Sequence, residues 1–134
     1  MKLSQFRVDL ENGRLEQPVI KRYHETTSTV AAAGTTTLNI TNGNIFILTQ
    51  DTNITTLNVT NPSTASNTAT SITIIRVKDA TGTARTITWP AAFKWAGATQ
   101  PTLTQTASAI DIISAFTTDG GTTYYAFASG LNLS

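Results

Sequence analysis

Bulky apolar residues along this chain recur mostly at every second position, in short runs separated by Asn, Gly, Asp, Pro and Ser. A period of two places alternate side chains on opposite faces of a strand, so the pattern predicts short half-buried β-strands rather than helices. Strands are expected over Thr35–Ile40, Asn44–Gln50, Ile54–Val59, Ser71–Lys78, Ala84–Trp89, Pro101–Gln105, Ala109–Phe116 and Thr122–Ala128. Asn42-Gly43, Asp51-Thr52-Asn53, Asp79-Ala80-Thr81-Gly82 and Asp119-Gly120-Gly121 supply turn chemistry between them. Asn61-Pro62-Ser63 opens a loop to Thr70, since proline cannot serve a central strand.

Within these strands the alternation predicts facing. Leu38 and Ile40, then Leu57 and Val59, point inward. Ile72 and Ile74 share the inner face with Val77, Ile110 pairs with Ile112, and Tyr125 with Phe127, leaving Tyr124 outward. Thr37–Asn42 (TLNITN) is echoed by Thr56–Asn61 (TLNVTN), which suggests two strands in similar surroundings rather than a repeat array. The expected fold is all-β: a single β-sandwich or jelly-roll-like domain of seven or eight short antiparallel strands over residues 35–134.

The first 25 residues follow a different rule. Phe6, Val8 and Leu10 alternate with Arg7, Asp9 and Glu11, and Asn12-Gly13 is a hairpin signal with Leu15, Gln17 and Val19 on the return. These residues carry over half of the formal charges of the chain, including Arg14, Lys21 and Arg22. This composition predicts an arm or hairpin that docks on a partner through Phe6, Arg7, Val8, Leu10, Arg14, Leu15, Val19, Arg22 and Tyr23. Residues 26–34, small and polar, suit a linker or an edge strand.

Composition sharpens the picture. Threonine makes up roughly a fifth of the chain, which favours strands. Charged residues are 13% of the total, about half the usual share of ~25%. A net charge of +1 gives no general pull toward nucleic acid or an anionic membrane. There is no cysteine, hence no disulfide. The N-terminus lacks the apolar run of a secretory signal, and no apolar run approaches membrane-spanning length.

Candidate chemistry is sparse. His24 is the single histidine and lies in the charged arm, so neither a Ser-His-Asp triad nor a metal cluster is expected, and no cofactor is implied. Asp51, Asp79 and Asp119 sit in turns, where they cap local N–H groups. Asp111 lies between Ile110 and Ile112, so alternation places it on the other face, in an outward or interface salt bridge to Arg76, Arg85 or Lys94. Trp89 is expected to plug the end of a sheet. Phe93, Trp95 and Tyr124 are candidates for contact with another subunit or a glycan.

Thr86-Ile87-Thr88-Trp89-Pro90, Phe93-Lys94-Trp95-Ala96-Gly97, Pro101-Thr102-Leu103-Thr104, Asp111 and Asp119-Gly120-Gly121-Thr122-Thr123-Tyr124-Tyr125 occur in that order. Together they resemble a β-module found in tailed-bacteriophage virion proteins, often at the C-terminus of tail fibres. The likeness covers residues 70–130, more weakly from residue 35. Ala98 departs from it, standing where the family often has a second glycine. The resemblance implies a virion protein, typically a homotrimer, without catalytic activity. Two placements follow: a short tail fibre or baseplate-associated tip facing the host, with the arm in contact with other virion proteins, or a capsid decoration protein. A stand-alone carbohydrate-binding module is the reading outside that class.

Overall fold

The computed structural model describes residues 21–134. Eight strands are present: β1 (Thr27–Ala31), β2 (Thr35–Asn39), β3 (Ile45–Gln50), β4 (Thr56–Thr60), β5 (Thr70–Lys78), β6 (Phe93–Lys94), β7 (Ile110–Thr117) and β8 (Tyr124–Leu133). Strands hold 46% of the described residues, with almost no helix, so the all-β expectation holds. The six-stranded sheet runs β1-β3-β5-β7-β8-β6, and β2-β4 form a second, two-stranded sheet.

The pairing differs from the expected antiparallel arrangement. From β1 to β5 the chain alternates between the two sheets, and β1/β3, β3/β5 and β2/β4 are all parallel. This is a short two-sided coil: each crossover carries the chain to the other sheet, so the next strand in a given sheet starts from the same end. Only β5/β7 and β7/β8 are antiparallel, and the two-residue β6 adds to β8 in parallel. Turn residues reveal that a chain reverses, not whether it returns to the same sheet, which is why alternation and turns alone pointed to hairpins.

The segment 26–34 contributes β1, the edge strand of the large sheet, and so belongs to the domain. Segments 84–89 and 101–105 form no regular strand, although Ile87 makes a parallel bridge to Ile54. The echoed strands do lie side by side. Their register, however, is slipped by two residues, placing Leu38 opposite Val59 and Thr36 opposite Leu57. An even slip leaves each inward side chain inward.

Both sheets feed one core: Leu38 and Leu57 from the small sheet meet Phe46, Leu48, Ile72, Ile74, Ile113 and Ala115 from the large one. Trp89, Phe93 and Tyr124 close one end. Trp89 packs edge-on to Phe93 and Trp95, at centroid distances of 5.6 and 5.2 Å. Trp89 is thus the sheet-end plug that its position before Pro90 suggested.

The other end of the core is polar. On β5 the inward face continues past Ile74 to Arg76 and Lys78, both buried, while Val77 points outward. Arg76 lies directly across from Asp111. Its Nη1 donates to Asp111 Oδ2 at 2.7 Å and to the Thr104 carbonyl at 2.7 Å, and its Nε donates to the Gln50 side chain. Asp111 also accepts from the Thr104 and Asn132 backbone N–H groups, at 2.8 and 3.0 Å. The Asp111–Arg76 pair is therefore buried rather than outward. Inward alternation carried it there; the remaining lone pairs of Asp111 are used by backbone donors, while Arg76 Nη2 has no partner among the described residues.

Candidate interaction surface

One face of the six-stranded sheet covers the core. The other has no covering layer among the described residues. Register aligns its side chains in three cross-strand rows: Thr27-Ile45-Thr73-Ser114-Phe127, Thr29-Ile47-Ile75-Ile112-Gly130 and Ala31-Thr49-Val77-Ile110-Leu133. Phe116 and Tyr125 form a further cross-strand pair beyond the first row. No charged side chain stands in these rows. Lys94 of β6, opposite Tyr125, marks the rim.

Apolar exposure is concentrated here. Phe127 is 52% and Tyr125 45% exposed, with Phe116, Leu131 and Leu133 close behind. The Phe116 ring lies 5.3 Å from Tyr125, and 6.4 Å from Phe127 in a stacked arrangement. Single exposed apolar residues are ordinary, but a contiguous uncharged patch on one sheet face marks an interaction site. The expected facing of β8 is reversed: Tyr124 and Ala126 point into the core, while Tyr125 and Phe127 point out. On β7, likewise, Asp111, Ile113, Ala115 and Thr117 are inward, and Ile110 and Ile112 outward. Both strands are apolar on their two faces, so alternation could not say which face was which. The signal that could have decided it is the small residues Ala115 and Ala126, cross-strand neighbours under the aromatic plug.

Of the three residues considered for subunit or glycan contact, the structure buries two. Phe93 and Tyr124 are core residues whose rings lie 5.2 Å apart. Burial pushes the Tyr124 hydroxyl up in pKa, with Asp119 adding to the effect, and that hydroxyl has no hydrogen-bond partner among the described residues. Trp95 alone remains partly exposed, on the wall of a hollow of about 240 Å³ that also touches Trp89, Phe93, Lys94, Ala98 and Gln100.

Arg22 and Tyr23 are exposed. The other arm residues, Phe6, Arg7, Val8, Leu10, Arg14, Leu15 and Val19, lie outside the described residues, as does the predicted hairpin.

Two of the three turn carboxylates, Asp79 and Asp119, cap local N–H groups as their positions suggest, while Asp51 is simply exposed. Asp119 accepts from the Thr123 N–H at 2.8 Å and from the Thr117 hydroxyl at 2.8 Å, and these bonds hold its carboxyl below the usual range. Asp79 receives the Thr81 hydroxyl and N–H and is flanked by Lys78 and Arg85. The hydrogen bond from Lys78 is the main reason its carboxyl lies far below the usual range. No group of three or more His, Cys, Asp or Glu side chains gathers among the described residues. No family model, curated protein or solved structure matches this chain.

Proposed function

We propose that this protein is a non-catalytic structural component of a tailed-phage virion, a homotrimeric head joined to other virion proteins by residues 1–25. In this reading its two sheets form a sandwich-like module at a host-facing tail tip. The observation that supports it is the uncharged apolar outer face of the six-stranded sheet. Five strands at about 4.8 Å spacing, crossed by runs of about seven residues at about 3.3 Å, give a footprint of roughly 500 Å². Side-chain relief raises that figure toward the ~800 Å² per partner of a standard interface. A surface with no charge repels no copy of itself, so the occupants that fit it are the corresponding faces of two further copies packed about a three-fold axis, each pair meeting through different parts of the face.

The test combines assembly with location. Light scattering on purified protein should give three copies per particle, and a C-terminal label on virions should appear at the tail only. Label over the whole capsid would move the protein to decoration, and a monomer at tens of micromolar would end the self-association reading. A chain lacking residues 1–25 should fold and trimerise yet fail to enter particles.

A further inference from the structure

We propose that the hollow beside Trp95 is a binding site for a single sugar ring, with preference for a carboxylated sugar such as a uronate. Its floor is rigid and aromatic. Trp89, Phe93 and Trp95 pack edge-on or tilted against one another, with centroids 5.2–6.0 Å apart, and of the three only Trp95 is partly exposed. Apolar C–H faces of a pyranose stack on such a ring, while its hydroxyls require polar groups at the edge. Lys94 and Gln100 stand at that edge. One proton of the Lys94 ammonium is committed to the Ala91 carbonyl at 3.0 Å, which fixes the group in place and leaves its other donors for a ligand.

Three further features converge on the same loop. The Trp95 indole N–H is buried with no acceptor among the described residues, an unsatisfied donor next to the hollow's aromatic cluster. Ala98, on the lip, has a φ of 55°, a left-handed conformation that a non-glycine residue adopts only when its surroundings enforce it. The volume, about 240 Å³, falls below the roughly 300 Å³ at which drug-sized sites begin, so the occupant is one ring rather than a chain segment. Among the described residues Lys94 is the sole ionisable side chain lining the hollow, which favours an anionic sugar, and that lining includes no carboxylate that could serve as acid or base on a glycosidic bond.

The proposal stands apart from the assembly reading, because it concerns the isolated protein whatever its copy number. The two tryptophans give two indole N–H signals in a nitrogen–proton correlation spectrum. Titration with glucuronate should shift the Trp95 indole and the amides of residues 94–100. Glucose should bind about tenfold more weakly, and acetate should leave the signals in place. Lys94→Gln should bring glucuronate down to the level of glucose. Trp95→Phe, which keeps a ring in the wall, should weaken both sugars while shifts outside the aromatic cluster stay in place. Absence of shifts with either sugar, equal response to acetate, or a Lys94→Gln variant that still prefers glucuronate would overturn the proposal.

Discussion

Arg76 on β5 and Asp111 on β7 are directly opposed cross-strand partners, Nη1 to Oδ2 at 2.7 Å, with neither side chain exposed. Removing one partner strands the other charge in the core. Asp111→Leu and Arg76→Met should each lower unfolding free energy by about 3–5 kcal/mol, whereas the double variant Arg76→Met/Asp111→Leu should lose much less than the sum. Urea denaturation of the four proteins measures the cycle.

The same site sets a pH dependence. Burial alone would raise the Asp111 pKa, but hydrogen bonds from Thr104, Asn132 and Arg76 outweigh it and hold the carboxyl below its ordinary value. Asp79 and Asp119 are also depressed. A carboxyl depressed in the folded state stabilises the fold above its unfolded pKa, and that stabilisation disappears as pH falls through the folded value. Thermal stability should therefore be flat around neutrality and fall from about pH 4 downward. Asp79→Asn, which removes the most depressed of the three, should flatten the acid limb, as melts between pH 7 and 2 would show.

On the outer sheet face, if the proposed trimer forms, Tyr125→Ser/Phe127→Ser should convert it to a folded monomer. Both side chains point away from the core, so the far-ultraviolet spectrum should be unchanged while the mass by light scattering falls. Loss of the β-spectrum together with assembly would show that the face supports the fold itself.

Gly43 joins the 3-10 turn at Ile40–Asn42 to β3, with φ of 138°, and a Cβ there would strike the Thr26 carbonyl. Gly43→Ala should cost about 1–3 kcal/mol. Gly82, where an added Cβ meets nothing within 4 Å, is the control: Gly82→Ala should be close to neutral.

Strand positions were largely legible in the sequence because β-branched alternation and turn residues are local signals. Ser71–Lys78 and Asn44–Gln50 were placed within a residue or so of β5 and β3. Pairing was not legible. Parallel coiling is decided by which sheet each crossover reaches, and nothing in a turn such as Asp51-Thr52-Asn53 states that. Facing failed wherever both sides of a strand are apolar, as with Tyr124 against Tyr125, or wherever the core accepts charge, as with Arg76 and Lys78. The candidate surface was hidden for the same reason: its residues read as core until the register showed that Ile113, Ala115 and Tyr124 already filled that role. The Trp95 hollow was visible as an aromatic loop, but its unsatisfied indole and the left-handed Ala98 emerge only in three dimensions.

The coiled first half implies a sequence of events in folding. β7 and β8 pair across a short turn, whereas closing the coil brings Thr27 to Ile45 and Ile45 to Thr73, each over a whole crossover. Local closure is entropically cheaper and faster, so the C-terminal hairpin should form first and β5 should add to it through β7. β3 and then β1 follow, each templated by the strand before it. Pulsed hydrogen exchange should show β7 and β8 amides protected ahead of those in β1. Chain growth runs in the opposite direction, so β1 to β5 leave the ribosome before the hairpin that templates them. Until then the Val- and Ile-bearing strands of the coil wait without a template.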